Sequence, residues 1–242
     1  MDIVILAGGR CDDELRKASG ADTRAEIEID GTRLVDTVLS ATSPLGEPIL
    51  VGGPSGITAR QVEAGANFCD SLSNGLSQVK TEHFLLVTVD LPCLTTESLN
   101  DFVDRCDRSA GLNYPIVPMQ DCEARFPGMR RTTLKLREGE FTGGNVALME
   151  KEMMARALPV MERAYEVRKK PLLLAQTIGL GVLGRVMLGQ VWPRTLRLAA
   201  LERAVGKFLG VPVRGVISRY AELGADLDKA EQYEQFARLQ KT

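Results

Sequence analysis

One histidine, His83, in 242 residues removes the histidine-rich metal sites, and no G-x-S-x-G elbow accompanies it. Set in an apolar run, it reads as a structural residue. The five cysteines, Cys11, Cys69, Cys93, Cys106 and Cys122, are odd in number and include no C-x-x-C pair. That argues against a disulfide framework and against a cysteine zinc site, and they read as reduced thiols in a cytoplasmic protein. Thirty Lys plus Arg against 32 Asp plus Glu leave a formal charge of -2, so nothing global draws the chain to nucleic acid or to an anionic membrane. No window reaches the roughly 18 uninterrupted apolar residues of a membrane span; the nearest, 172–184, is short and is followed by Arg185. An acidic second residue and the lack of a basic start make residues 1–6 a first strand and not a signal peptide.

What is present is a soluble globular composition, 44% hydrophobic and 26% charged, in a length that suits one large domain spanning 1–242. Apolar β-branched runs alternate with helix-period segments, the signature of βαβ units and a largely parallel sheet. Strands are expected at 3–6, 25–29, 48–51, 84–89, 114–117, 132–136, 146–149 and 211–217. Helices are expected after Gly31, over 71–79, after Thr95 and Thr96, and over 229–239. The polar stretch 119–128 reads as irregular, 141–145 as a turn, and 150–209 as mostly helical. The fold class is therefore α/β, a three-layer sandwich with a Rossmann-like, mostly parallel mixed sheet and a helical insertion at about 153–209.

Three places carry chemistry. Leu6-Ala7-Gly8-Gly9-Arg10 follows the first strand, where paired glycines can leave backbone amides open as an anion-binding nest, with Arg10, Arg16, Lys17 and Arg24 nearby. The plain alternative is a tight turn in a solvated loop. Asp90, in Val89-Asp90-Leu91-Pro92, stands immediately after the most apolar strand, at the sheet edge where open α/β folds bind ligands. A carboxylate beside phosphates implies magnesium, although Asp90 could instead cap the following turn. Asp226-Leu227-Asp228 offers further carboxylates after the last strand, or an N-cap for the final helix.

Taken in order, these segments resemble the nucleotidyltransferase family that includes molybdenum cofactor guanylyltransferase, methylerythritol phosphate cytidylyltransferase and the sugar-phosphate uridylyltransferases. Leu6-Ala7-Gly8-Gly9 matches the family's opening pattern L-A-G-G-x-G-x-R. Arg24 stands where the family has a lysine, Val89-Asp90-Leu91-Pro92 matches G-D-x-P, and Asp70-Ser71-x-x-x-Gly75-Leu76 is similar to a base-reading segment. The resemblance implies transfer of a nucleoside monophosphate from an NTP to a phosphorylated small-molecule acceptor with release of pyrophosphate. It also implies roles. Leu6, Ala7, Gly8, Gly9, Arg10 and Arg24 would hold the triphosphate, Ser71, Asn74 and Gly75 would border the base, and Gly143, Gly144 and Asn145 would face the acceptor. Asp90 and Asp228 would hold Mg2+, with Asp226 in reserve, and Arg10, Arg24 and Asp90 would be the catalytic set.

The sequence departs from the family in its phosphate loop. Cys11-Asp12-Asp13-Glu14 replaces the small residues, and acidic groups there would repel a triphosphate unless they face solvent or join the metal site. Arginine for lysine at 24 exchanges a point donor for a planar fork. Two other classes compete: a glycosyltransferase of related fold, using Asp226-Leu227-Asp228 as a D-x-D, and a noncatalytic nucleotide-binding protein. Gly179-Leu180-Gly181-Val182-Leu183-Gly184 matches G-x-G-x-x-G but lies among helical residues, and Gly206-Lys207 is followed by Phe208, which excludes a P-loop. The apolar, basic-edged block 169–209 is expected to be a wall for a lipid-like acceptor, a homodimer surface, or an ordinary helical core.

Overall fold

The computed structural model describes residues 1–167 and 196–239. The expected block 169–209 is therefore described only in its last part, and the Gly179–Gly184 motif lies outside the described residues. Strand β1 (Asp2–Leu6) is the hub of a nine-stranded mixed sheet. It pairs in parallel with β4 (Glu47–Val51) on one side and with β6 (His83–Thr88) on the other. Short β5 (Arg60–Val62) extends the edge beyond β4. Past β6 the direction reverses at β10 (Val146–Glu150), which lies antiparallel to both β6 and β7 (Leu112–Pro118). β7 in turn carries β11 (Val213–Ile217) in parallel, and the antiparallel hairpin of β8 (Leu134–Leu136) and β9 (Gly139–Gly143).

Alternate side chains of β1 feed the two faces, as strand geometry requires. Ile3 and Ile5 pack under α2 (Leu34–Thr42) and α4 (Thr96–Arg105), whereas Val4 packs under α3 (Phe68–Gln78) and α6 (Lys151–Val167). Helix α7 (Leu198–Leu209) lies on the second face beside α6. This is the three-layer arrangement expected, and both described ends of the 153–209 stretch are helical. A third cluster closes one end, where α1 (Asp13–Ser19), α5 (Met119–Arg125) and α8 (Ala230–Leu239) meet around Phe126 and Phe236, whose rings stand edge to face at 5.8 Å.

Several local expectations need correction. Residues 25–29 do not form one strand: Arg24–Glu26 is a 3-10 turn, and only Glu28–Ile29 (β2) pairs, with Thr32–Arg33 (β3). The two-residue turn between them, Asp30-Gly31, has positive φ at both positions (51° and 76°), the conformation a tight hairpin needs. The stretch 119–128 read as irregular contains α5, whose single buried residue, Cys122, is too little to show a periodicity. Part of the turn at 141–145 is strand β9.

The floor of the sheet is stapled by Asp2, which is 4% exposed. Its Oδ2 accepts the amides of Lys80 at 2.5 Å and Thr81 at 2.9 Å, tying the end of α3 to the start of β1. Burial pushes this carboxyl upward, but those amides, the Thr81 hydroxyl and Arg60 outweigh it and hold it below the usual range. Because the folded pKa is depressed, the contribution is complete above the unfolded value of about 3.9 and is lost as pH falls through the folded value. We expect Asp2→Asn to cost about 1–3 kcal/mol near neutral pH, with the gap to the wild type narrowing below about pH 4. Urea unfolding curves from pH 7 to pH 3 test this, and a gap independent of pH would show that the charge is not what matters.

Candidate active site

The end of β6 delivers Asp90 to the carboxyl edge of the sheet. The Val89 amide donates to the Leu6 carbonyl at 3.1 Å, which keeps the chain beside β1 for one more residue. Asp90 then turns inward, 7% exposed, and its Oδ1 accepts the Thr88 hydroxyl at 2.5 Å. From the far end of the chain, the Leu227 amide donates to the Asp90 carbonyl at 2.8 Å. Leu227 is itself fully buried beside α1 and α8. With that residue pinned, Asp226 and Asp228 come within electrostatic reach of Asp90.

A single guanidinium joins two of these carboxylates. Arg24 reaches Asp90 Oδ2 at 2.9 Å through Nη1 and Asp228 Oδ1 at 2.7 Å through Nη2. Its Nε is buried without a hydrogen-bond partner among the described residues. Among the described residues Arg24 is the one cation paired directly with these carboxylates. Burial, followed by the charges of Asp228 and Asp90, pushes the Asp226 carboxyl up to about 6. Asp90 is also raised, mainly by burial, against the pull of Thr88 and Arg24.

This donor set suits a hard divalent cation such as Mg2+, with carboxylate oxygens only and an uncompensated negative charge. No three Asp, Glu, His or Cys groups among the described residues form a ready-made cage. A magnesium site needs none, since one or two carboxylates plus substrate phosphates suffice.

Gly8 and Gly9 border the same cavity, of about 350 Å³, together with Arg24, Asp90, Ser71 and Thr88. Neither glycine has positive φ, so the pair does not make the alternating nest expected of it. Glycine at 8 is instead a matter of room, because a Cβ there would come within 2.5 Å of the Ala64 Cβ. The amides of Gly8 and Gly9 have no hydrogen-bond partner among the described residues and remain open to an anion, while the Gly9 carbonyl anchors the Arg24 amide at 2.9 Å. The acidic loop residues do not crowd this space. Asp12 caps α1 by accepting the Leu15 amide at 2.9 Å and pairs with Lys229, also at 2.9 Å; Asp13 and Glu14 are exposed in the first turn of α1.

Residues 3–134 match the family described as the MobA-like NTP transferase domain. The chain belongs to the MobA-like NTP transferase family. A solved structure described as a hypothetical transferase from Thermus thermophilus is 35% identical, with 96% of this chain and 98% of that one covered and a TM-score of 0.86. The fold is also that of 2-C-methyl-D-erythritol 4-phosphate cytidylyltransferase from the same organism, at 15% identity, coverage of 100% and 98%, and a TM-score of 0.57. It is shared again with a CMP:2-keto-3-deoxy-manno-octonic acid synthetase complexed with CTP, at 11% identity, coverage of 99% and 97%, and a TM-score of 0.59. No curated protein matches the sequence.

Within this MobA-like transferase the other expected site residues divide. Leu6 lines the cavity and Ser71 does too, its hydroxyl accepting the Gly65 amide at 3.0 Å. Ala7 is buried behind the turn, its amide bonded to the Val51 carbonyl at 2.9 Å. Arg10 is exposed and outside the cavity lining. Asn74 is exposed and donates to the Glu63 carbonyl at 3.0 Å. Gly75 faces the sheet, where a Cβ would stand 2.5 Å from Val4 Cγ1, so it serves the packing of α3 on β1. Missed from sequence were the cavity residues Gly65, Ala66, Asn67, Phe68 and Tyr165. Only Asn67 left a local signal, as an N-cap accepting the amides of Cys69 and Asp70.

The expected acceptor residues Gly143, Gly144 and Asn145 act first as a seat for the carboxylate crossing. The Asn145 amide donates to the Leu223 carbonyl at 2.7 Å, and Arg131 donates to the Gly224 carbonyl. The backbones are so close that a Cβ on Gly144 would lie 2.6 Å from Pro115 Cγ, and one on Gly224 would lie 2.7 Å from the Gly143 carbonyl oxygen. Tyr114, also unforeseen, lies under Gly143, and burial together with the Asp226 charge raises its phenol. We expect Gly224→Ala to cost about 1–3 kcal/mol, because the obstructing atom is backbone and cannot rotate away. A denaturant midpoint equal to that of the wild type would show that the crossing can shift without penalty.

Proposed function

We propose that this transferase moves a nucleoside monophosphate from an NTP to a phosphorylated small-molecule acceptor and releases pyrophosphate. The observation that carries the reading is the convergence of Asp90 and Asp228 on Arg24, with Arg24 and Asp90 lining one cavity together with Gly8 and Gly9, whose amides are open. Such a place offers donors to phosphate oxygens and carboxylates to their counter-ion, and little else. Asp90 and Asp228 would hold Mg2+, with Asp226 alongside, and the bound ion would supply charge neutralisation and orientation at the α-phosphate.

In the reaction an acceptor phosphate oxygen bonds to the α-phosphorus, the bond from that phosphorus to the α,β-bridging oxygen breaks, and its electron pair leaves with pyrophosphate. A phosphate monoester loses its second proton near pH 6, so the nucleophile is already ionised at neutral pH and the chain needs no general base. Its residues instead position and neutralise. The Gly8 and Gly9 amides would donate to the triphosphate. Arg24, now neutralising the carboxylates, would turn its fork toward the outer phosphates once they arrive. Gly143, Gly144 and Asn145, at the same sheet edge, would border the acceptor, and the Gly65–Ser71 side of the cavity would receive the base.

Two results test this. Wild-type protein given magnesium, an NTP and a phosphorylated acceptor should release pyrophosphate, and Asp90→Asn or Asp228→Asn should slow that release at least ~100-fold with the fold retained by circular dichroism. Turnover unchanged in both variants would remove the carboxylates from the mechanism. In calorimetric titrations Arg24→Ala should weaken NTP much more than nucleoside binding, by roughly ten-fold or more for a lost charge-assisted pair. Equal weakening for both ligands would place Arg24 away from the phosphates.

A further inference from the structure

Alternate residues of a strand share a face, so β6 turns Phe84, Leu86 and Thr88 to the same side of the sheet. Phe84 and Leu86 are buried in the core under α3 and α6. Thr88, the last residue of the strand, breaks the apolar character of this row just where the row reaches the cavity. A valine would serve the strand and the packing at this position equally well. A hydroxyl there needs a partner.

Two acceptors lie within its reach, Asp90 Oδ1 at 2.5 Å and the Asn145 carbonyl at 3.4 Å. The hydroxyl has a single proton to give, and the Asn145 carbonyl already takes the Thr88 amide at 3.1 Å. The proton therefore goes to the carboxylate, at a length typical of a hydroxyl donating to a charged oxygen. Branching at Cβ stiffens χ1 of a threonine, so the strand itself sets the direction of this bond. The last torsion of an aspartate is by contrast broad and two-fold, and nothing intrinsic decides which oxygen faces which way. With Oδ1 tethered to Thr88, Oδ2 is the oxygen that faces Arg24, whose other terminal nitrogen holds Asp228.

We infer that Thr88 is a positioning residue for the transfer site: its hydroxyl fixes the Asp90 carboxylate so that Oδ2, the oxygen sharing Arg24 with Asp228, is the one presented to the divalent cation. This rests on the nucleotidyl-transfer reading and adds a residue that touches neither nucleotide nor cation. An outer hydrogen bond that orients a metal-binding carboxylate governs metal affinity, because the ligand is then aimed before the cation arrives.

Calorimetric titrations of the full-length protein with ATP, GTP, CTP and UTP, each in magnesium and in EDTA, test the role. Wild-type protein should bind at least one of the four more tightly in magnesium. For that nucleotide Thr88→Val should weaken binding in magnesium roughly 10- to 100-fold and leave binding in EDTA unchanged, and Thr88→Ser, which keeps the hydroxyl, should restore the magnesium effect. Thr88→Val with wild-type affinity in magnesium, equal weakening in EDTA, or a Thr88→Ser variant as weak as Thr88→Val would each overturn the positioning role while the nucleotide reading stands. Wild-type protein whose affinity for all four is indifferent to magnesium would overturn the cation reading, and this role with it. Thr88→Ala supplies the same comparison should Thr88→Val fail to fold.

Discussion

The hydrogen bond from the Leu227 amide to the Asp90 carbonyl brings the end of the chain onto the end of β6, and with it a second and third carboxylate beside the first. Like charges so placed repel in a medium less polarisable than water. The surroundings answer in two ways: Arg24 forks between Asp90 and Asp228, and Asp226 is driven to hold its proton toward neutral pH. Neither answer satisfies the whole cluster. Among the described residues the carboxylates in direct contact with Arg24 outnumber it two to one.

Much of this architecture was legible because burial on both faces leaves a plain record. β1 and β6 are nearly continuous apolar runs, as strands inside a covered sheet must be, and Asp90 directly after such a run was readable as a strand-end carboxylate. The helices that escaped notice bury little: one residue, Leu15, in α1 and one, Cys122, in α5. α1 nevertheless carried the marks of a helix, with Asp12 as cap, acidic residues in its first turn, basic ones in its last and Gly20 after its end. Within the site, the D-S-x-x-x-G-L pattern suggests ligand contact at Asn74 and Gly75, whereas helix geometry turns Asn74 to the Glu63 carbonyl and Gly75 to Val4. Tyr165 carries no local mark of its place at the cavity, because that place depends on where α6 starts.

The acidic sequence in the phosphate loop also becomes intelligible. Asp12, Asp13 and Glu14 would be hostile to a triphosphate if they lined the turn, but Asp12 caps α1 and pairs with Lys229 at the foot of α8, while Asp13 and Glu14 stand exposed in the first turn of α1. The interaction of α1 with α8 holds the segment just before α8 against Asp90, so charges that look misplaced in sequence help assemble the cluster. The cavity beside Gly8 and Gly9 keeps Arg24 and the two open amides.

Asp90 and its partners meet across most of the chain's length, and that separation governs the order in which the protein can become competent. Contacts so far apart in sequence carry a loop-closure cost and form late, and during synthesis the N-terminal strands are available first. The residues matched to the family can lay down β1, β4 and β6 with Arg24 and Asp90 already in register, but β11 must dock on β7 before Gly224 can seat against Gly143 and present Asp226 and Asp228. Until then Arg24 has a single carboxylate to pair with. Mutual repulsion among the three arises only when the scaffold that withstands it is in place.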